Sequence, residues 1–363
     1  MTRHRRIPLA ILSLSVGLAL TACSTGSQDK AADGAKPLSV AYAGVSDADP
    51  LYKALGDGLA RLATAKGVKL NRYDNNADAT QALSNANLIV GQKPDVAIDW
   101  DGVGNTNSVG QVFTRAKLPC VAVNLPIAGC SLYDLDQVGA GTQLGTEVAK
   151  IAAERGWAAN DMFVLLESVT TAGMAPINSV GGFYSEFAKH FPGLEQRAPS
   201  DFSLTTTGIG ASGQFVDGVG TVDGAYAATQ RVLQTIPAGK KLVIDVLNDA
   251  MVPGVLRALE QAGRQKDVLL ASTGALPSAL AGVRTNPIWV AEGDAGLSEW
   301  PRYLLAMSRA IAAGEKIPDR TLTPFRVVTK SNVDTLFDGD ASKTPLPVPS
   351  ADSYLLKYDD LGR

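Results

Sequence analysis

The chain has 363 residues, 45% of them hydrophobic and 19% charged, with 36 glycines and a formal net charge of −3. That length is enough for two domains, each with its own core. The weak negative charge, with no long basic run beyond the first few residues, argues against a nucleic-acid partner.

The start of the chain reads as an address rather than as fold. Arg3, His4, Arg5 and Arg6 are cationic, and Ile7 to Leu20 is apolar but too short for a comfortable membrane span. The run closes on Leu20-Thr21-Ala22-Cys23, which resembles the lipobox of bacterial lipoproteins. That resemblance implies a signal peptide over 1–22 and lipid attached to Cys23, hence a membrane anchor on the outer face of the cytoplasmic membrane. The alternative is an ordinary secretory signal with an incidental cysteine. Residues 23–36 are small and polar, as in a flexible tether. Cys120 and Cys130 are then the leftover pair, and in an exported chain such a pair favours a disulfide over two buried thiols.

From Ser39 the chain alternates. Val40 to Ala43 is an apolar run, Gly44 to Asp49 a polar loop, and Leu51, Leu55, Leu59 and Leu62 follow at helical spacing. Asp49 suits the N-cap, Pro50 the first helical position and Gly67 the stop. Strands are predicted at Val68 to Tyr73, Asp95 to Ile98 and Pro119 to Asn124, with helices at Asp78 to Val90 and Val109 to Lys117. A second series follows. It predicts strands at Gln137 to Ala140, Met162 to Leu166, Leu242 to Leu247, Val268 to Ala271, Ile288 to Ala291 and Phe325 to Thr329. Its helices are Gly145 to Arg155, Val180 to His190, Gly224 to Ile236, Pro253 to Ala262 and Leu297 to Ala313, and a Gly/Thr/Ser-rich stretch from Thr205 to Gly220 breaks the rhythm. The fold class is α/β, with two successive Rossmann-like parallel-sheet domains and a cleft between them. The stretch from Asp338 onward, rich in Pro, Ser and Asp, has no assigned role.

Catalysis has little raw material. The only histidines are His4, in the leader, and His190, near a helix end where a surface role fits. There is no His-Glu-x-x-His, Cys-x-x-Cys, Gly-x-Ser-x-Gly or phosphate-loop motif, so no cofactor, no metal and no enzymatic activity are expected. Gly208-Ile209-Gly210-Ala211-Ser212-Gly213 matches the dinucleotide fingerprint in letters, but no helical pattern follows it, which favours a surface loop. Gly139-Ala140-Gly141-Thr142-Gln143-Leu144-Gly145 sits between an expected strand and helix, where close packing explains it as well as a ligand does.

Binding has more to work with. In open α/β sheets ligands sit outside the carboxyl ends of the strands. There the sequence places Asp47, Asp49, Leu51 and Tyr52, then Asp99, Trp100 and Asp101, and further on Asn124, Asn248, Asp249, Thr273 and Glu292. Acids and amides pair with hydroxyls, and rings cover apolar C–H faces. Each residue also has a plainer reading: Asp49, Asp101 and Asp249 as helix caps, and Tyr52 as core.

The order and spacing of Asp49-Pro50-Leu51-Tyr52, Pro199-Ser200-Asp201-Phe202, Asn248-Asp249-Ala250-Met251 before Arg257-Ala258-Leu259, and Phe325 to Val333 resemble the ribose-binding-protein-like substrate-binding proteins of bacterial ABC transporters. The resemblance runs from Pro37 to Asp334. It implies the periplasmic binding protein-like I fold with a three-stranded hinge, crossing near Val138, Ala291 and Thr323. The lobes would be 37–138 with 292–323, and 139–291 with 324–345, leaving 346–363 as a tail. It implies a monomer that captures a small sugar or polyol and hands it to permease subunits; a sensor feeding a membrane kinase or taxis receptor is the alternative. By the same resemblance Asp49 and Tyr52 hold the ligand, Phe202 stacks on it, and Asn248 supplies the family amide. Asn124 stands for a usual acid and Leu125 for an Arg. Asn178 or Ser179 replaces another Arg, Thr273 replaces an Asp, and Glu292 a hinge Gln. Losing two guanidiniums while keeping carboxylates favours a small polyol, a modified sugar or an amine-bearing ligand over an acidic sugar.

Overall fold

The computed structural model describes residues 36–358 except 103, 105, 347 and 349. The expected signal, Cys23 and all but the last residue of the tether lie outside the described residues.

The first half runs β1 (Ser39–Gly44), α1 (Pro50–Ala65), β2 (Lys69–Asp74), α2 (Ala79–Gln92), β3 (Val96–Asp99), α3 (Thr106–Ala116), β4 (Cys120–Val123) and β5 (Ser131–Asp134). The second runs α4 (Gln137–Glu154), β6 (Met162–Ser168), α5 (Met174–Lys189), β7 (Gly213–Asp217), α6 (Val222–Leu233), β8 (Lys241–Val246), α7 (Val252–Gln261), β9 (Val268–Thr273), α8 (Pro277–Thr285) and β10 (Trp289–Asp294). Then come α9 (Trp300–Ala312), β11 (Arg320–Leu322) and β12 (Arg326–Thr329). The first sheet has the order β11-β5-β4-β3-β1-β2 and is parallel throughout; the second has the order β12-β10-β9-β8-β6-β7, with only β12 antiparallel. The α/β reading with two parallel-dominated sheets is what the structure has. Each sheet is covered on both faces, as buried parallel strands require.

Helix α1 starts as its sequence dictates. Asp49 accepts from the Leu51 N–H at 2.8 Å, Pro50 opens the helix, and Gly67 takes the left-handed φ of 65° beyond its end. Cys120 and Cys130 form a disulfide, with Cα atoms 4.7 Å apart, that ties β4 to the start of β5.

Several local expectations are corrected. Gln137 to Ala140 is not a strand but the first turn of α4, capped by Asp136, which accepts from Gly139 N at 3.1 Å; the strand lies earlier, at β5. The glycines Gly139 to Gly145 therefore serve helix–helix contact. A Cβ on Gly141 would lie 1.9 Å from the Ser179 carbonyl, and one on Gly145 2.4 Å from that of Phe183, so α4 and α5 approach only because both are glycine. Helix α5 begins six residues before its expected start at Val180, at Met174. The fingerprint-like Gly208 to Gly213 is followed by a strand, β7, not a helix, which removes the dinucleotide reading; Ile209 within it is buried in the core. It is a seated edge of the second sheet rather than a free loop.

The chain passes between the sheets after β5, after β10 and between β11 and β12. Leu135, Ala140, Ala295 and Phe325 form a small apolar cluster at these passages. Past β12 the tail returns: Leu355 is fully buried in the core of the first half, and Arg309 donates to the Tyr358 carbonyl at 3.1 Å.

Candidate functional site at the strand ends

In each sheet the third strand in sequence turns back to the far side of the first. This puts a switch point between β1 and β3 and another between β6 and β8. Crevices at such points are where open α/β sheets hold ligands.

At the first switch point the loops after β1 and β3 meet; a Cβ on Gly102 would lie 2.6 Å from Val45 Cγ1. Asp47 is claimed by Arg72 of β2, whose guanidinium also reaches Asp57 at 2.5 Å and the Lys53 carbonyl at 3.4 Å. Gly56 makes room for it, since a Cβ there would fall 2.4 Å from Arg72 Cζ. Asp49 is spent on the cap of α1. Tyr52 packs edge-on against Trp100 with centroids 4.8 Å apart. Trp100 continues into Trp300 at 5.5 Å, and Trp300 into Tyr133 at 5.5 Å. With 6% exposure, Trp100 gives its ring to the core of the first half, and Tyr52, half-buried, is the ring left at the rim. Asp99 and Asp101 are fully buried, and burial, then Asp101, holds the Asp99 carboxyl well above the usual range. Among the described residues, both Asp99 oxygens and Tyr42 Oη have no hydrogen-bond partner. Burial also raises Tyr42, which lies within electrostatic reach of Arg72, Asp47, Asp99 and Tyr52. Asn124 turns with a left-handed φ of 58°, and its Oδ1 accepts from Leu135 N at 3.3 Å, so it holds the β4–β5 connection.

At the second sheet four of the expected residues gather. Asn248 Oδ1 accepts from Met251 N at 3.2 Å and shapes the start of α7. Ser272 Oγ lies 2.8 Å from Asp249 Oδ1 and 2.5 Å from Glu292 Oε2. Burial and then the nearby Asp249 push Glu292 well up, and burial raises Asp249 as well. The remaining oxygens accept from Ala275 N and Leu276 N, both at 2.9 Å, which fixes the loop after β9. Thr273 is half-buried beside Gly293, where a Cβ would lie 2.7 Å from both its Oγ1 and the Phe325 ring.

Three expected residues fall elsewhere. Ser179 is buried where its backbone meets Gly141, and Asn178 shares that turn of α5. Phe202 is 2% exposed, edge-on to Tyr184 at 5.8 Å with Arg197 over its ring, so the core of the second half takes the face expected to stack on a ligand. The sequence reading missed Arg72, Tyr42, Ser272 and two acids inside apolar strands, Glu167 and Asp245. A charge within Met162-Phe163-Val164-Leu165-Leu166-Glu167 or Leu242-Val243-Ile244-Asp245 was the available signal. Burial pushes Glu167 up to about 8 against the hydrogen bond from Thr229, and Asp245 well up.

A separate cavity of about 270 Å³ lies among the passages, lined by residues that include Leu135, Ala140, Pro324 and Phe325. Among the described residues that line it, Asp136 is the one carboxylate, and it already caps α4.

No protein-family model matches the chain, and no curated protein matches it. Solved structures do share its fold. An ABC transporter solute-binding protein from Mycobacterium smegmatis with bound glycerol aligns at TM-score 0.68 and 19% identity, over 84% of this chain and 98% of that one. One from Actinobacillus succinogenes with bound D-allose gives 0.67 and 15%, over 83% and 100%. The Caulobacter myo-inositol-binding protein bound to myo-inositol gives 0.64 and 19%, over 83% and 98%. The fold is that of the ribose-binding-like solute-binding proteins, the two-domain periplasmic binding protein-like I fold.

Proposed function

We propose that this chain is a solute-binding protein of an ABC importer, which closes two lobes on a small hydroxylated ligand and does no chemistry on it. The observation that carries the reading is the gathering of acids, amides and a rim tyrosine at two switch points of a solute-binding fold. The three passages between the sheets serve as the hinge, and we set the lobe boundaries there. Closure is favoured only when the ligand bonds both lobes at once. The ligands of the neighbouring structures, glycerol, D-allose and myo-inositol, mark the chemical range to try first. In this reading Cys23 carries the lipid that holds the protein at the outer face of the membrane, next to its permease.

Isothermal titration of the purified protein against glycerol, allose, ribose, galactose and inositol tests the reading. Binding to one or more is expected, and heat from none would overturn it. Labelling with a palmitate analogue tests the anchor: label should enter the wild type and vanish in Cys23→Ser.

A further inference from the structure

The chain past β12 is anchored in both halves. Its first part stays with the second half: Val333 and Phe337 are buried in that core, and Phe337–Asp338 pairs antiparallel with Ala341–Ser342. Arg326 of β12 pins the end of this hairpin, donating to the Thr344 carbonyl at 2.6 Å and to Ser342 Oγ at 3.0 Å, while its Nε donates to Asp294 of β10 at 2.8 Å. The last part lies on the first half. Leu355 is fully buried in that core, and Tyr354 Oη lies 3.1 Å from Thr321 Oγ1 of β11. Glu315, just past α9, accepts from Tyr358 Oη and, at 3.2 Å, from Lys357 Nζ.

Between these anchors the chain runs over the passages that join the sheets. Leu346 is 3% exposed, and a Cβ on Gly296 of the second passage would lie 2.1 Å from its Cδ1. Val348 lines the cavity of about 270 Å³ together with Leu135 of the first passage and Pro324 of the third, and it also packs against the core of the first half. Any swing of the lobes that pulls Leu346 or Leu355 from its seat exposes apolar surface to water. The segment therefore narrows the range of angles that the ligand-free lobes sample. A protein with fewer open states loses less conformational freedom when it closes, and so binds more tightly.

We propose that the anchors at Thr344, Leu346 and Leu355 make the chain past β12 a strap across the hinge, which restrains the swing of the two lobes and thereby strengthens capture of the ligand. This rests on the solute-binding reading above. The test slackens the strap and keeps its anchors: about eight glycine and serine residues are inserted between Thr344 and Pro345. The control carries the same insert after Gly239, in the exposed turn between α6 and β8. Both variants should melt within a few degrees of the wild type. The slackened strap should bind the best ligand of the sugar and polyol panel about threefold to tenfold more weakly than the control does, and its ligand-free form should show the larger radius of gyration by small-angle scattering. Equal affinity and equal ligand-free scattering in the two variants would overturn the strap. Should the slackened variant not fold, hydrogen exchange of the ligand-free wild type decides: amides of 354–358 should be protected as α9 is, and free exchange there would show that the strap lets go. Silence of the wild type towards the whole panel would overturn the solute-binding reading instead, and the ligand-free scattering would still decide the strap.

Discussion

The strand ends of the two sheets hold their polar groups in different ways. In the first half, the groups at the strand ends are held in position but left open: Arg72 fixes the loop after β1, rings fill the space behind it, and Asp99 and Tyr42 keep unused valences. In the second half, Asp249, Ser272 and Glu292 satisfy one another and the loop amides around them at the ends of β8 to β10, while Glu167 Oε2 and Ser168 Oγ at the end of β6 have no hydrogen-bond partner among the described residues. An open valence is a demand for a ligand, while a closed network is a rigid wall that costs energy to disturb. Under the proposed solute-binding function, the first half would make first contact with the ligand and the second would serve as a preformed lid.

The largest way to break this comparison is to remove the wall of rings behind the first site. Trp300 is 1% exposed between Trp100 and Tyr133, and its indole N–H donates to the Ala295 carbonyl at 2.9 Å. Trp300→Ala should cost about 3–5 kcal/mol of stability, read from chemical denaturation, and should release Trp100 and Tyr52 from their edge-on stack. A loss near zero would mean that the rings do not support the site. The next effect sits in the second half. Glu167 keeps its proton in the folded chain up to about pH 8, whereas an unfolded glutamate loses it near pH 4.3. The unfolded state therefore binds fewer protons in between, and stability falls as pH rises across that window. Each such group contributes a slope of about 1.4 kcal/mol per pH unit. Glu167→Gln should flatten the wild-type slope by that amount between pH 5 and 7. Melts at several pH values that show equal slopes in both proteins would put the group's ionisation elsewhere.

How much of this was legible beforehand follows the range of the interactions. Asp49, Pro50 and Gly67 act within one turn, so the capping of α1 could be read from neighbouring letters. The strand-end positions of Asp99, Asn248 and Asp249 follow from the βα alternation alone. Partner choice does not. Arg72 joins Asp47 across 25 positions, and Ser272 joins Glu292 across 20, so the claim each makes on a carboxylate appears only when the strands are side by side. Phe202 fails for the same reason: its letters suit a cleft face, but the approach of α5, which Gly181 allows, folds the ring inward. Gly139 to Gly145 were legible as a close contact, but not with which partner.

The finest test separates holding a ligand from holding the loop that holds it. Arg72 touches Asp47, Asp57 and the Lys53 carbonyl, and it is partly exposed. Partly exposed ion pairs contribute little to stability, commonly below about 1 kcal/mol. Arg72→Met keeps the apolar stem against the sheet and removes the fork. Its thermal midpoint should move by only a few degrees or less, while the best ligand of the sugar and polyol panel should bind about threefold to tenfold more weakly. If Arg72 works by aiming Asp47, then adding Asp47→Asn to Arg72→Met should change affinity by far less than the same change does in the wild type, because the two share one interaction. Additive losses would instead make Arg72 a direct ligand contact, and the open character of the first switch point would then belong to its cation as well as to Asp99.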